Sequence, residues 1–131
     1  MHGLTTIPSS LGPKETVDRL EAEIRARGLT IFARIDHAAG AAEVGLTLRP
    51  TELIIFGNAR GGTPLMQPNQ TVGIDLPLKA LVWQDAAGKT LISYNEPSWM
   101  AQRHGVADAG PVVSNMTDLL SAIATTAAGH Q

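Results

Sequence analysis

Hydrophobic residues recur with two different periods along the chain, and the helical period marks two long segments. Segment 14–27 carries apolar residues at three- and four-residue steps, which predicts an amphipathic helix: Val17, Leu20 and Ile24. Gly28 is suited to the left-handed position that commonly ends a helix. Segment 115–128 repeats the helical spacing and predicts a C-terminal helix capped by Ser114 or Asn115.

Shorter apolar segments predict the strands of a sheet. Residues 29–36 alternate between apolar and polar, as in a half-buried strand, and residues 78–85 alternate in the same way. A glycine-containing turn connects the second of these to a returning strand at 90–94, which predicts a hairpin. Segment 51–57 is apolar without alternation, which predicts a central strand covered on both faces. Segment 4–11 predicts the first strand.

Local cap and breaker residues predict short helices inside the loops. Segment 37–44 is rich in alanine, and Thr63 with Pro64 matches an N-cap followed by the first helical residue. Glu96-Pro97 indicates another short helix that ends near His104-Gly105. Segment 107–111 has little propensity for any structure and is interpreted as a linker.

The order of elements favours one α+β domain covering residues 1–131. Strands are grouped together between two long helices, an arrangement typical of a mostly antiparallel sheet with the helices packed on one face. A chain of 131 residues with 44% hydrophobic residues can fill such a core without disulfides or metal ions. An apolar sheet face that the two helices leave uncovered predicts a homodimer.

Composition excludes several classes of function. Ten basic and 12 acidic residues give a net charge of −2, which provides no general attraction to nucleic acid. The absence of cysteine excludes a disulfide scaffold, a thiol nucleophile and a cysteine-based zinc site. The N-terminal residues do not match a secretory signal, and no apolar segment is long enough to span a membrane. We therefore expect a cytoplasmic protein without membrane contact.

Five short blocks carry a resemblance to a known family. They occur in this order along the chain: Arg34–His37, Ile55–Asn58, Gly62–Met66, Asp75–Lys79 and Tyr94–Pro97. Together they resemble domain-of-unknown-function family 302, a set of small prokaryotic proteins, over about residues 13–106. The resemblance implies a β-α-β4-α fold of the TATA-binding-protein-like type and a homodimer. It implies no reaction, because the function of the family is not known.

Polar residues that follow the predicted strands are the candidates for a ligand site. If the strand ends lie on one side, five side chains converge on a polar cleft at one end of the sheet: His37, Asn58, Thr63, Tyr94 and Glu96. The alternative is structural, with the asparagine in a turn and the glutamate at a helix N-terminus. The glycines of segment 57–62 could let the backbone approach a small anion, although they also suit a tight connection.

Two hypotheses about function follow from this cleft. The first is a small-ligand-binding or regulatory module, since the sequence has no catalytic motif and no cofactor loop. The second is an acid–base enzyme that acts on a small polar substrate through His37 and Glu96. Met66 belongs to the predicted cleft, either as a ligand contact or as a core residue. A His37/Met66 pair provides too few ligands for a metal site, so we predict neither a metal nor a cofactor.

Overall fold

The computed structural model describes residues 1–106 and 110–130, and within these ranges the chain forms one antiparallel sheet. Its strands are β1 (Leu4–Pro8), β2 (Thr30–Asp36), β3 (Thr51–Gly57), β4 (Leu78–Gln84) and β5 (Thr90–Asn95). They lie in the order β1-β5-β4-β3-β2, and all neighbours are antiparallel. The expected α+β class with an antiparallel sheet is confirmed.

Helices occupy the segments between and after the strands. They are α1 (Pro13–Ala26), α2 (His37–Glu43), α3 (Ala59–Met66), α4 (Pro97–Arg103) and α5 (Gly110–Ala127), with a 3₁₀ helix at Gln70–Ile74. The two long helices, α1 and α5, pack against each other and against the same face of the sheet. This arrangement confirms the expected packing of helices on one face.

Apolar side chains from both long helices meet the sheet in one buried cluster. Leu20 and Ile24 of α1 are fully buried, as are Ile54 and Phe56 of β3. Residues paired across the strands share a face, so Ile54, Ala80 and Tyr94 all lie on the helix side. The core therefore lies between the sheet and the two long helices.

Three local predictions need correction. The strand at 51–57 was expected at the centre of the sheet with both faces covered; β3 is an inner strand, between the middle strand β4 and the edge strand β2, but its side chains on one face are only partly buried. The helix expected to start at Pro64 begins at Ala59 instead, because the Asn58 side chain accepts the Gly61 N–H at 2.6 Å and caps it. The last helix begins at Gly110 rather than near 115. Residues 107–109 of the expected linker lie outside the described residues.

The second face of the sheet has no helix on it within the described residues. It carries apolar side chains from the inner strands: Leu53, Ile55, Leu81, Trp83 and Leu91. Lys79 lies on the same face, and its ammonium group donates to the backbone carbonyls of Asp75 and Pro77. We call this surface the open sheet face.

Candidate functional site

A cavity of about 460 Å³ lies between α3 and α5 at one end of the sheet. The β3–α3 connection, the first residue of β4 and the segment before it also contribute to its walls. Most of the lining is apolar, and its larger apolar side chains include Leu29, Phe32, Met66, Leu76, Met116 and Leu119. Its volume falls in the range of about 300–1,000 Å³ that is typical of small-molecule sites.

The connection from β3 to α3 brings backbone and polar groups to the cavity. Gly57 ends β3 with a φ of +152°, a conformation that residues with side chains rarely adopt. Asn58 follows as the N-cap of α3, and Thr63 lies further along the same helix. All three residues line the cavity, and so do the other residues of the glycine-containing segment 57–62, which therefore forms one of its walls.

Two glycines leave room for the cavity and for Met66. A Cβ at Gly73 would lie 3.3 Å from the Met66 sulfur, so the thioether occupies the space that a side chain would fill. A Cβ at Gly62 would lie 3.5 Å from Leu76 Cδ1, inside the cavity wall. Met66 is half-buried and packs against the core cluster while it lines the cavity. The two interpretations of this residue, ligand contact and core residue, are compatible.

The bulge in β2 brings an aromatic ring to the same cavity. The register between β2 and β3 shifts between Ile31 and Ala33, which leaves Phe32 as the extra residue. Phe32 is 56% exposed and lines the cavity, whereas Ile31 packs against the core. Strict alternation in the sequence did not predict this reorientation.

His37 lies at the opposite end of the sheet. Its neighbour Asp36 pairs with Glu52 near the start of β3, whereas Asn58 follows the end of β3. Six residue steps along β3 separate Thr51 from Gly57, which corresponds to about 20 Å. The expected convergence of His37 with Asn58 and Thr63 is therefore wrong. Neighbouring antiparallel strands run in opposite directions, so the residues that follow them lie at opposite ends of the sheet.

Ion pairs surround the end of the sheet at which His37 lies. The Arg34 guanidinium pairs with Glu52 at 2.5 Å and with Asp18 at 3.0 Å, which connects β2 to β3 and α1. These carboxylates raise the pKa of Arg34. The hydrogen bond from Lys14 lowers the pKa of Asp18, and Arg34 contributes in the same direction. His37 itself is exposed at the start of α2.

Tyr94 and Glu96 lie at the same end of the sheet as the cavity but do not line it. Tyr94 pairs with Ala80 and Ala80 with Ile54, so two strand spacings, about 10 Å, separate Tyr94 from β3. Tyr94 is buried on the helix side, and Glu96 is the N-cap of α4. Of the six predicted site residues, the cavity brings together Asn58, Thr63 and Met66.

The pKa of Tyr94 provides the first testable prediction. Burial raises the pKa of its phenol, and the negative charge of Glu96 acts in the same direction. The unfolded chain releases this proton near pH 10 while the folded chain retains it, so stability should be lost as the pH rises above about 10. Tyr94 is the only tyrosine in the chain, so an ultraviolet titration of tyrosinate reports it directly. A folded-state midpoint at or below 10 would contradict the prediction, and Tyr94→Phe should lose less stability in alkali.

A second polar cluster lies between the 3₁₀ helix and the end of α4. His104 Nε2 donates to Asp75 Oδ2 at 2.5 Å, because an ionised carboxylate can only accept. His104 Nδ1 lies 2.8 Å from the Thr71 hydroxyl, and Arg103 Nη1 donates to both Asp75 oxygens at 2.8 and 3.0 Å. The side chains of Asp75 and His104 are 12% and 8% exposed. We call these four residues the Asp75 cluster.

Sequence reasoning missed the Asp75 cluster. The cluster contains a histidine in contact with a carboxylate. The acid–base hypothesis expected such a contact between His37 and Glu96. None of the four residues of the cluster lines the cavity. Asp75 opens one of the five blocks that carried the family resemblance, which is the signal that could have drawn attention to it. His104 had no such signal, because nothing in the sequence indicates that it lies beside Asp75.

Comparison with family models identifies the chain. The model described as "Domain of unknown function DUF302" matches residues 5–123, which is most of the 131-residue sequence. The chain belongs to the DUF302 family. The match confirms the resemblance found in the sequence and extends it at both ends, into β1 and α5.

A solved structure supports the same fold. The chain is similar to the crystal structure of an uncharacterized conserved DUF302 protein from Bacillus stearothermophilus, with a TM-score of 0.83 and 22% sequence identity. The similarity covers 94% of this chain and 96% of that one. The two proteins therefore share the fold over almost their whole length.

Curated relatives carry a similar segment inside longer proteins. The chain is 50% identical over 104 residues to "Fluoride-specific ion channel FluC 1" of Brucella suis biovar 1, covering 79% of this chain and 41% of that protein. "Fluoride-specific ion channel FluC 2" of Brucella melitensis biotype 1 matches with the same identity, over 38% of its length. The chain thus spans about two-fifths of these relatives.

Among the helices at residues 1–106 and 110–130, none combines the length and apolar character that a membrane span requires. The cytoplasmic location stays a prediction.

Proposed function

We propose that this protein is a small-ligand-binding domain and that the cavity between α3 and α5 is its binding site. The observation that carries the proposal is the cavity itself, which combines a volume of about 460 Å³ with an apolar wall and a few polar groups. That combination is typical of ligand sites, in which apolar area supplies affinity and a few polar groups fix orientation. Asn58 and Thr63 are two of those groups.

The proposed site differs in character from the polar cleft expected from the sequence. Apolar side chains dominate the cavity, and Tyr94, Glu96 and His37 lie outside its lining. The acid–base alternative required His37 and Glu96 within one substrate width. The length of β3 alone, about 20 Å, separates the two ends of the sheet at which these residues lie. The binding function is therefore the better-supported hypothesis.

We also propose a regulatory role for ligand binding. In the Brucella proteins named as fluoride-specific ion channels, the segment similar to this chain makes up about two-fifths of the length. A ligand-binding domain joined to another functional part is a common arrangement for control, since binding shifts the populations of states that the attached part can sense.

A neutral hydrophobic fluorophore tests the binding site. N-phenyl-1-naphthylamine should bind the protein, and Gly62→Leu should weaken this binding by roughly tenfold or more because the new side chain fills the cavity. The matched control is Gly40→Leu, where a Cβ meets nothing within 4 Å. Unchanged binding in Gly62→Leu, or equal losses in both variants, would contradict the proposal.

A thermal-shift screen then identifies ligands among metabolites, with sodium fluoride included because of the names of the relatives. A ligand at 100 times its dissociation constant should stabilise the protein by about 2.7 kcal/mol. Ligands of the cavity should stabilise Gly40→Leu as much as the parent protein and Gly62→Leu much less. A ligand that stabilises all three equally binds elsewhere.

We further propose that two copies associate through the open sheet face. Four strand spacings and a strand length of about 20 Å give this face an area on the order of 400 Å², most of it apolar. Lys79 is the charged residue that the described strands place on it, so a second copy would bury few charges. Its central side chains, among them Leu81 and Trp83, would meet their counterparts across a twofold axis.

Sedimentation equilibrium at micromolar concentration tests the homodimer. The parent protein should sediment with twice the chain mass of 13.8 kDa, and Leu81→Glu should sediment as a monomer because it places a charge in the interface. The matched control is Ile74→Glu, at a residue that is 75% exposed and lies outside the open sheet face. A parent protein that sediments only as a monomer would overturn the proposal.

A further inference from the structure

We infer that the cavity binds an amphipathic carboxylate, with its apolar body among the side chains of α3, β2 and α5 and its carboxylate at Arg60. The inference rests on the proposed binding function and specifies the chemical class of the ligand. It depends on two observations, the apolar wall and the sign of the charge at the cavity.

The wall of the cavity favours an apolar ligand body. Phe32, Met66 and Leu119 form surfaces on different elements that a hydrocarbon chain or ring can contact from several sides. Burying such a body gains roughly 25 cal/mol for each Å² of apolar surface removed from water. A sugar or another ligand with many hydroxyl groups would leave most of them without partners against this wall.

The charge at the cavity favours an anionic group. Arg60, at the start of α3, is exposed and lines the cavity, and no acidic residue does so among the described residues. The other polar side chains of the lining, Asn58, Thr63 and Asn115, are neutral. Arg60 also takes part in none of the ion pairs between described residues.

An arginine at this position suits a carboxylate. The guanidinium group presents parallel N–H donors that match the two oxygens of a carboxylate. Because Arg60 is exposed, the carboxylate would stay close to water and would avoid the cost of full desolvation. The apolar body would extend from this point into the cavity, so one molecule satisfies both parts of the site.

Competition between two matched compounds tests the inference. Octanoate and octanamide have the same chain and differ in charge, and each is titrated against bound N-phenyl-1-naphthylamine. The parent protein should prefer octanoate by at least tenfold, and Arg60→Gln should reduce the ratio to about one. Arg25→Gln, which removes a charge from α1 outside the cavity, should keep the preference of the parent protein.

The outcomes separate this inference from the proposed function. Displacement of the fluorophore by both compounds with equal potency would overturn the carboxylate preference while the binding site stands. A preference that survives in Arg60→Gln would overturn the role of this residue. Failure of the fluorophore to bind the parent protein would overturn the binding site itself. Equal melting temperatures of the parent protein and Arg60→Gln would exclude misfolding as the cause of a lost preference.

Discussion

Phe56→Ala is expected to lower the free energy of unfolding by about 3–5 kcal/mol. Phe56 is fully buried in β3 and is among the largest side chains without solvent exposure. It pairs with Leu78 of β4, and Gly57 and the cavity wall follow it directly. Truncation removes the apolar contacts of the ring and leaves a void that the sheet and helices can close only in part.

The chain contains a matched control for this substitution. Its other phenylalanine, Phe32, is 56% exposed, so Phe32→Ala should change stability by less than about 0.5 kcal/mol. Because Phe32 lines the cavity, the same variant should weaken binding of the fluorophore. Denaturant unfolding measures both stabilities, and equal losses in the two variants would contradict the assignment of Phe56 to the core.

Local patterns were sufficient to predict most elements of the fold. The three- and four-residue spacing of Val17, Leu20 and Ile24 predicted α1, and the same three side chains are buried in the structure. Alternation predicted β4 and the hairpin with β5. These predictions succeed because the side-chain period of a helix or strand is a property of the local backbone, which a short segment already specifies.

Local patterns failed where two signals for the same element competed. Thr63 with Pro64 matches the start of a helix, but Asn58 provides an earlier cap and the helix continues through the proline. In α5, helix propensity competes with packing. The segment before Asn115 has weak helix propensity, but Val112 and Val113 pack against the core, and the helix begins at Gly110. Packing decides such cases, and packing partners are distant in sequence.

The prediction of the candidate site depended on the relative directions of the strands, which the sequence did not specify. His37 and Asn58 each follow a strand, and the expectation of one cleft assumed that these strands end on the same side. The two strands are neighbours in an antiparallel sheet, so their C-terminal residues lie at opposite ends of the sheet. Asn58, Thr63 and Met66 were found together because a single short helix carries them.

The Asp75 cluster is a polar feature that local reasoning missed, and its loss should have the second large effect on stability. Asp75 and His104 are 29 residues apart in sequence and meet because the segment before β4 packs against the end of α4. Asp75 accepts hydrogen bonds from Arg103 and His104 while it is 12% exposed. Asp75→Ala leaves the buried His104 ring nitrogen without this acceptor, so we expect a loss of about 2–4 kcal/mol.

Denaturant unfolding of Asp75→Ala, His104→Ala and the double variant tests this expectation. If the two residues act through their contact, the double variant should lose less stability than the two single losses combined, with a coupling of about 0.5–3 kcal/mol. Asp118→Ala is the control, because Asp118 is exposed on α5 and its carboxylate takes part in none of the ion pairs between described residues, so its loss should stay within about 0.5 kcal/mol. Since no residue of the cluster lines the cavity, Asp75→Ala should bind the fluorophore like the parent protein at temperatures where it is folded. Additive losses would show that the contact contributes little, and a loss of binding in folded Asp75→Ala would show that the cluster and the cavity are coupled.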